Sequence, residues 1–316
     1  MKSLESICNS ILLENQNPNN IDLNLLKKCV DGTYTINDDG SIDVNGDVNL
    51  NNKKLAKIPF KFRNVSGGFY CHRNRLTSLE GAPNTVGGNF CCNDNRLTSL
   101  EGSPNTVGGY FYCYDNQLTS LEGSPNTVGS GFCCNDNQLT SLEGSPNTVG
   151  GDFYCHDNQL TSLEGAPNTV GGSFYCNNNQ LTSLKGAPNN VGGGFYCNNN
   201  QLTSLEYAPN NVGSGFDCSD NQLTSLVGAP INVDGEFCCY NNQLTSLEGS
   251  PNTVGGKFYC YINPNLPYSE LFKIVDNVNG DIYYSNVTTP EDKYKIRRDR
   301  VVKGVLKDDE LGNLDV

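Results

Sequence analysis

The sequence predicts an all-β-dominated solenoid: a right-handed coil of about eleven 21-residue turns, with a parallel β-sheet on one face and small helical caps at both ends. The pattern N-x-L-T-S-L-E-G-x-P-N-x-V-G-G-x-F-x-C repeats with a period of 21 residues, and phenylalanine recurs at that spacing from Phe69 to Phe258. Cysteine follows each phenylalanine by two residues, and leucine follows by seven from Leu76 to Leu244. One unit cannot bury its own apolar residues, so stacked neighbours must bury them.

Three segments are predicted: an N-terminal helical and hairpin cap over residues 1–43, the repeat solenoid over 44–264, and a C-terminal cap with a helix over 265–316. A solenoid grows by adding coils, so 316 residues fit one elongated body. In the first cap, residues 1–31 predict two short helices, the second with Asn20 as its N-cap. Residues 32–44 predict a hairpin that turns at NDDG.

Each coil is predicted to contribute one strand, because in F-x-C the phenylalanine and cysteine alternate with outward residues. Stacked coils then predict a continuous parallel sheet. The asparagine column that begins at Asn74 lies where the chain leaves the strand, and its amide is expected to bond backbone groups of its own and the next coil. The proline column that begins at Pro83 fixes φ on the far side, which predicts turns there and leaves no room for a helix.

After Cys260 the repeat stops. Residues 268–276 predict a capping helix, residues 281–285 a short strand, and Thr289-Pro290 the start of a further helix. Residues 293–307 carry seven of the 21 lysines and arginines. This basic segment is either a solvated helix against an acidic body or a docking tail for an acidic protein or nucleic acid.

The repeat motif resembles known families. N-x-L-x-x-L followed by proline and x-x-V is similar to leucine-rich repeats, and looks like the short, helix-poor repeats of secreted bacterial effectors, although phenylalanine and cysteine replace the strand leucines. The whole unit, with the entry segment TINDDGSIDVNGDVNL, resembles repeat proteins encoded by large tailed bacteriophages and other large DNA viruses. The resemblance covers residues 33–265. It implies a viral leucine-rich-repeat-like solenoid and brings almost no known activity with it.

Composition excludes several classes of partner. The net charge of −13 and the pI near 4.5 argue against nucleic acid and anionic membranes, which attract basic surfaces. No apolar run is long enough to span a bilayer. The first residues, MKSLESICNSILLENQ, are expected to form a short amphipathic helix rather than a signal peptide.

Fifteen cysteines do not predict a disulfide framework here. Ten form the column from Cys71 to Cys260, where parallel Cα–Cβ vectors suit disulfides poorly, so they are expected to be small buried hydrophobes. Cys91, Cys133 and Cys238 are expected to point outward as free, exposed thiols. Such thiols and an odd total favour a reducing compartment, so the expected location is a host cytoplasm or a virion, without secretion through a signal peptide.

The outward face of the predicted sheet is the candidate binding site. Its residues are Tyr70, Tyr112, Tyr114, Tyr154, His156, Tyr175, Tyr196, Asp217, Tyr240, Tyr259 and Tyr261. Tyrosine is enriched in recognition surfaces because it offers amphipathic area at small entropic cost, and Tyr154, Tyr175 and Tyr196 are expected to form an uninterrupted stack. The alternative is that tyrosine favours strands, and that ladders of like residues stabilise parallel coils without binding anything.

No metal site and no cofactor are predicted. The two histidines fall four coils apart, the column cysteines lack regular histidine partners, and the aspartate column that begins at Asp94 lacks the motif of calcium-binding solenoids. Those aspartates are interpreted as solvated turn acids. A glutamate column, interrupted at Lys185 and Val227, is expected to face water, with docking of a basic partner as the alternative.

These patterns predict a non-enzymatic protein. Nucleophile-elbow, phosphate-loop and paired-carboxylate motifs are absent from the sequence, and the Cys71-His72 pair is expected on opposite faces of a strand. The leading hypothesis is a protein–protein interaction scaffold of viral (phage) origin that binds a host factor or virion protein through the tyrosine-bearing face. The alternative is a structural virion or assembly component, either a particle-associated rod or a decoration protein. The sequence identifies neither the partner nor the oligomeric state.

Overall fold

A computed structural model describes residues 21–285 and the backbone of residues 294–296. The helix expected before residue 20, the helix start at Thr289 and nearly all of the basic segment lie outside the described residues. The chain divides into two compact units, Met1–Gln159 with Gly165–Pro167 and Leu160–Glu164 with Asn168–Val316. Each unit is a parallel β-solenoid of stacked coils, which confirms the predicted fold class.

The first described element of the first unit is helix Leu23–Cys29. The side chain of Asp22 accepts hydrogen bonds from the backbone N–H groups of Asn24 at 2.9 Å and Leu25 at 3.0 Å, so Asp22 is the N-cap and the assignment to Asn20 is wrong. Sequence reasoning places the start of the helix slightly too early, as is common at helix ends.

The predicted hairpin follows directly. Strand Val30–Ile36 pairs antiparallel with strand Ile42–Asn49, and the turn between them closes through Asn37 and Ser41. The second strand then pairs in parallel with Phe62–Val65 and with Phe69–Tyr70. The hairpin therefore covers the first edge of the solenoid, where unpaired backbone groups would otherwise be open to other chains.

Each coil contributes two short strands, whereas the sequence predicts one. The strands that contain the repeated phenylalanine form the phenylalanine ladder: Phe69–Tyr70, Phe90–Cys91, Phe111–Tyr112, Phe132–Cys133 and Phe153–Tyr154 in the first unit, and Phe174–Tyr175, Phe195–Tyr196, Phe216–Asp217, Phe237–Cys238 and Phe258–Tyr259 in the second. The strands that contain the repeated valine form the valine ladder: Phe62–Val65, Thr85–Val86, Thr106–Val107, Thr127–Val128 and Thr148–Val149, then Thr169–Val170, Asn190–Val191, Asn211–Val212, Asn232–Val233 and Thr253–Val254. Within each unit, neighbouring strands pair in parallel with a step of one repeat, as in Phe111↔Phe132.

The core of each coil is built from the repeated apolar columns. Every phenylalanine of the 21-residue repeat, from Phe69 to Phe258, is fully buried. The column cysteines and nearly all the repeated leucines are fully buried as well. The phenylalanine rings stack in parallel, with centroids 5.3 Å apart between Phe111 and Phe132 and 5.4 Å apart between Phe132 and Phe153. Within each unit, such stacking buries the inner rings of the column between two others.

The cysteine column also supplies hydrogen bonds that the sequence does not predict. The thiol of Cys113 lies 3.2 Å from the carbonyl oxygen of Cys133 in the next coil, and Cys134 lies 3.3 Å from that of Tyr154. The S–H group is a weak donor, so each of these cysteines both fills the core and binds a buried carbonyl.

The asparagine column binds the backbone of its own coil, as expected, but its other bonds go to the preceding coil and not to the next one. The side-chain amide of Asn137 donates to the carbonyls of Cys113 at 3.2 Å and of Cys134 at 3.1 Å, and its oxygen accepts from the N–H of Leu118 at 3.0 Å. The same bonds recur at other members of the column, for example at Asn242. They satisfy buried groups where the chain leaves the ladder.

Within the described residues, the second unit has one turn more than the repeat predicts, which gives about 12 turns in all. Strand Ile282–Tyr284 pairs in parallel with Phe258–Tyr259, although the separation of Phe258 and Ile282 along the chain exceeds one repeat. A 3₁₀ helix, Tyr268–Lys273, lies in this longer turn. Strand Tyr294–Ile296 pairs antiparallel with Ile282–Tyr284, so the predicted solvated helix is wrong at these three residues.

Candidate functional site

The tyrosine face is the outward side of the phenylalanine ladder, in the two columns predicted from sequence. Successive residues of a strand point to opposite sides. The repeated Phe and Cys point inward, so the residue between them and the residue after the Cys point outward and form this face. Ten of the eleven predicted residues are half-buried, so each shows part of its side chain to solvent. The exception is Tyr261, which is only 8% exposed.

In the first unit, three tyrosines line one strand. The rings of Tyr110 and Tyr112 stack with centroids 5.3 Å apart, and Tyr114 meets Tyr112 edge-on at 6.1 Å. Burial, followed by the nearby Cys133, raises the pKa of Tyr112 to about 12, so its hydroxyl stays a hydrogen-bond donor at neutral pH. Sequence reasoning misses Tyr110 because its column is variable. Tyr110 could have been found from its position two residues before Tyr112, because residues two apart in a strand lie on the same side.

Farther along this unit, a tyrosine and a histidine are fixed by acidic neighbours. The hydroxyl of Tyr154 donates to Asp152 at 3.0 Å, and its ring meets the His156 imidazole edge-on at 6.1 Å. The Nδ1 atom of His156 lies 2.6 Å from a carboxylate oxygen of Asp157. Both rings are therefore held in place before any partner arrives.

In the second unit, Tyr175 and Tyr196 stack with centroids 4.7 Å apart and an interplanar angle of 6°. This is the part of the expected three-tyrosine stack that lies within one unit, since Tyr154 belongs to the first. The next member of the column is Asp217. Its carboxylate accepts hydrogen bonds from the backbone N–H of Ser219 at 2.9 Å and from the Ser219 hydroxyl at 2.6 Å. Burial raises the pKa of Asp217 above its usual range.

The C-terminal end of the second unit carries a cluster of four tyrosines. Tyr261 stacks on Tyr240 at 4.6 Å and meets Tyr259 edge-on at 6.3 Å, while Tyr259 stacks on Tyr283 at 4.8 Å. Tyr261 is thus covered by its neighbours and not exposed, and its role as a contact residue stays a prediction. The Lys257 ammonium group lies 6.0 Å from the Tyr259 ring centroid, within range of a cation–π interaction.

The outward cysteines are not exposed thiols. Cys91 is 8% exposed and Cys133 is 6% exposed, while Cys238 is half-buried. The pairing register explains this correction. Cys91 lies between Tyr70 and Tyr112 of the adjacent coils, so larger side chains cover its short one. Cys238 lies between Asp217 and a tyrosine and is less covered.

We expect native Cys91 and Cys133 to be alkylated at pH 8 at least about a hundredfold more slowly than in the unfolded chain. Burial raises the pKa of both thiols to about 12, and the thiolate is the form that reacts. Iodoacetamide labelling followed by peptide mass spectrometry measures both rates, and labelling in guanidinium provides the reference. Equal rates in the native and unfolded chain would contradict the packing described above.

Among the described residues, one group could present several ligand atoms to a metal ion. The ligand atoms of Asp136, His156 and Asp157 lie within 4.8 Å of one another, with both carboxylates exposed. Asp136 and Asp157 belong to the aspartate column, whose members adopt positive φ near 54°. Aspartate and asparagine tolerate this left-handed turn, which accounts for their recurrence without a metal. The absence of a metal site stays a prediction.

The other polar columns lie on different sides of the coils. The glutamates from Glu80 to Glu248 are exposed, as expected, and Lys185 forms an ion pair with Glu164 at 2.8 Å. Cys71 is fully buried, and burial raises the pKa of its thiol, whereas His72 lies on the outward side, so the two do not form a catalytic pair. Within the described part of the chain, no helix is long and apolar enough to cross a membrane.

No family model and no curated protein matches the chain. Among solved structures, it is similar to YopM, a leucine-rich effector protein from Yersinia pestis, with a TM-score of 0.46 and 20% identity over 70% of this chain and 69% of that one. It is also similar to YopM from Yersinia enterocolitica WA-314, with a TM-score of 0.36 and 17% identity over 70% and 67% of the two chains. The fold class rests on the strand pairings described above. The viral origin implied by the repeat resemblance stays a prediction.

Proposed function

We propose that this chain is a non-enzymatic protein–protein interaction scaffold that binds a partner protein through the tyrosine face. The observation that carries the proposal is the stacked pair Tyr175 and Tyr196, whose centroids lie 4.7 Å apart and whose rings are half-exposed. Rings held in this way lose little conformational freedom when a partner binds, so more of the contact energy appears as affinity.

The face also varies along the chain, which supports recognition over simple ladder stabilisation. The first unit presents the row formed by Tyr110, Tyr112 and Tyr114, whereas the second presents the Tyr175–Tyr196 pair beside Asp217. A ladder that served packing alone would favour the same residue in every coil. The repeated phenylalanines, which serve packing, show that uniformity.

We expect the double substitution Tyr175→Ala and Tyr196→Ala to reduce capture of the partner at least about tenfold, because aromatic anchors near the centre of an interface dominate binding energy. Affinity purification from expressing or infected cells, with quantitative mass spectrometry, compares this variant with the unchanged chain. The matched control is Thr182→Ala with Thr203→Ala, which changes two exposed side chains of neighbouring coils away from the face.

Two outcomes of that experiment would contradict the proposal. A partner captured equally by both variants would place its binding site elsewhere on the chain. A chain that co-purifies with virus particles at fixed stoichiometry, and does so in the tyrosine variant as well, would instead be a structural virion component. Circular dichroism establishes that both variants remain folded.

The viral origin belongs to the same proposal. It rests on the repeat resemblance, and it places the chain in the cytoplasm of an infected cell or in the virion. Within the described residues, the fourteen cysteines form no disulfide bond, which is compatible with a reducing compartment. Fractionation of infected cells, with the chain quantified in soluble, membrane and particle fractions, tests this placement.

A further inference from the structure

The second unit exposes a cluster of apolar side chains on a different side of its coils. Among the described residues, the three most exposed large apolar side chains are Tyr207 at 62%, Ile231 at 49% and Val227 at 48%. All three lie in the turns that join the repeated leucines to the valine ladder, in two consecutive coils. We call this set the turn patch.

Each member of the turn patch replaces a residue that the repeat holds almost constant. Tyr207 occupies a glycine position, Val227 a glutamate position, and Ile231 an asparagine position. The glycines equivalent to Tyr207 in the adjacent coils, Gly186 and Gly228, have φ of +87° and +90°. Tyr207 itself has φ of +71°, a conformation that a bulky L-residue rarely adopts. The backbone thus stays in a disfavoured conformation with this ring exposed, and strain of that kind is a ground for a functional hypothesis.

The three side chains come from turns that lie directly against one another. A Cβ atom added at Gly228 would meet the backbone nitrogen of Glu206 at 2.6 Å, so the turn at Val227 packs on the turn at Tyr207. The backbone N–H of Ile231 donates to the carbonyl of Asn210 at 2.7 Å. The patch is therefore one surface built by two hydrogen-bonded turns.

The surroundings of the turn patch are acidic. Glu206 and Glu248 are exposed in the coils on either side of Val227, while the charge of Lys185 is balanced by its ion pair with Glu164. A groove of about 490 Å³ runs along the valine ladder, and Asn232 and Asp234, which follow Ile231 in the chain, are among the residues that line it. The substitution of valine for glutamate thus creates an apolar centre without removing the negative potential around it.

We propose that the turn patch binds a protein segment that combines aliphatic or aromatic side chains with lysine or arginine. Its apolar side chains pack on Tyr207, Val227 and Ile231, and its basic groups pair with Glu206, Glu248 and Asp234. Exposed apolar area of this kind marks interaction sites, and the carboxylates at its rim select cationic partners. This surface is separate from the tyrosine face and serves a second contact.

The test uses a displayed library of random peptides of about twelve residues, selected against the full chain. We expect the selected peptides to be enriched in Lys or Arg together with apolar residues. We also expect them to bind at least about tenfold more weakly to the variant Tyr207→Gly, Val227→Glu and Ile231→Asn. Each replacement is the residue that this chain uses at the equivalent position of neighbouring coils, so the variant keeps the repeat and its fold.

Other outcomes would overturn the proposal. Peptides without basic residues, or peptides that bind the chain and the variant equally, would show that the patch does not select this chemistry. Light scattering that finds a dimer lost in the variant would assign the patch to a second copy of the chain. Crosslinks within one chain, from lysines beyond residue 296 to Glu206 or Glu248, would make it an internal contact. The Tyr175→Ala and Tyr196→Ala variant should leave peptide binding unchanged, which separates this inference from the tyrosine face.

Discussion

Replacing Phe132 with alanine is expected to lower the free energy of unfolding by about 3–5 kcal/mol. The ring is fully buried and stacks between Phe111 at 5.3 Å and Phe153 at 5.4 Å. The neighbouring coils cannot close on the space it leaves, because backbone hydrogen bonds fix their spacing at the strand on both sides. The variant therefore loses both the transfer free energy of the ring and the contacts of the cavity walls.

Urea unfolding followed by circular dichroism measures this loss, since the chain has no tryptophan to report it by fluorescence. Thr140→Ala is the matched control, because Thr140 lies in the same coil with its side chain exposed, and its effect should stay within about 0.5 kcal/mol. The loss of unfolding free energy in Phe132→Leu should lie between those of Phe132→Ala and Thr140→Ala. A loss below about 1 kcal/mol for Phe132→Ala would mean that the coils repack around the missing ring. It would contradict the tight stacking of the phenylalanine column.

Replacing Asn137 with alanine is expected to cost about 3 kcal/mol, because it removes the side-chain acceptor of a buried N–H, at about 1–3 kcal/mol, and further hydrogen bonds to buried carbonyls, at about 1 kcal/mol each. The N–H of Leu118, which donates to the side-chain oxygen at 3.0 Å, loses its side-chain acceptor. The carbonyl of Cys113 loses the bond from the Asn137 amide at 3.2 Å but keeps the one from Asn116 at 3.1 Å. Asn137 is 9% exposed, so little water is available to replace the amide.

Asn137→Asp should be at least as damaging as the alanine variant. A carboxylate still accepts from Leu118 but donates nothing to the two cysteine carbonyls, and it places a charge in a buried site. Gln138→Ala, at the exposed next position, is the control. Thermal and urea unfolding measure the stability of the three variants. An Asn137→Ala variant as stable as the Gln138→Ala control would show that the asparagine column is not essential to coil stacking.

The inward columns could be predicted from the sequence because their residue types do not vary. Phe, Cys, Leu and Val recur at fixed positions, and all of them are buried. The period alone therefore predicts the phenylalanine-bearing strand, its register and the turns. The hairpin at the first edge was predictable for a similar reason, since Tyr34 and Ile36 alternate with polar residues around a strong turn signal.

The valine ladder could not be predicted by the same reasoning. Its strands are mostly as short as Thr85–Val86, with one inward and one exposed residue, so no alternation is available to detect. The short strand of the extra turn near the C-terminus was predicted, but its pairing with the phenylalanine ladder was not. It pairs Phe258 with Ile282 at a spacing longer than the repeat, and it lacks the repeat motif.

The details of the tyrosine face depended on the size of neighbouring side chains, which a single column does not reveal. Cys91 is covered because tyrosines lie on both sides of it in the ladder, and Tyr261 is buried because Tyr240 and Tyr259 pack against it. Tyr207 was unexpected for another reason. The repeat reserves its position for glycine, and only the structure shows that the positive φ is kept with a tyrosine in place.

The pairing of each strand with its counterpart one repeat away has a consequence for how the chain is made. All partners of a coil within its unit lie about one period away, so a newly synthesised coil finds its template in the segment translated just before it. At roughly 5–20 residues per second, a ribosome delivers a 21-residue coil about every one to four seconds. Loop closure at this short separation is far faster. Each unit can therefore add its coils one at a time at the ribosome exit. The rate of translation, and not the closure of each coil, then sets its folding time.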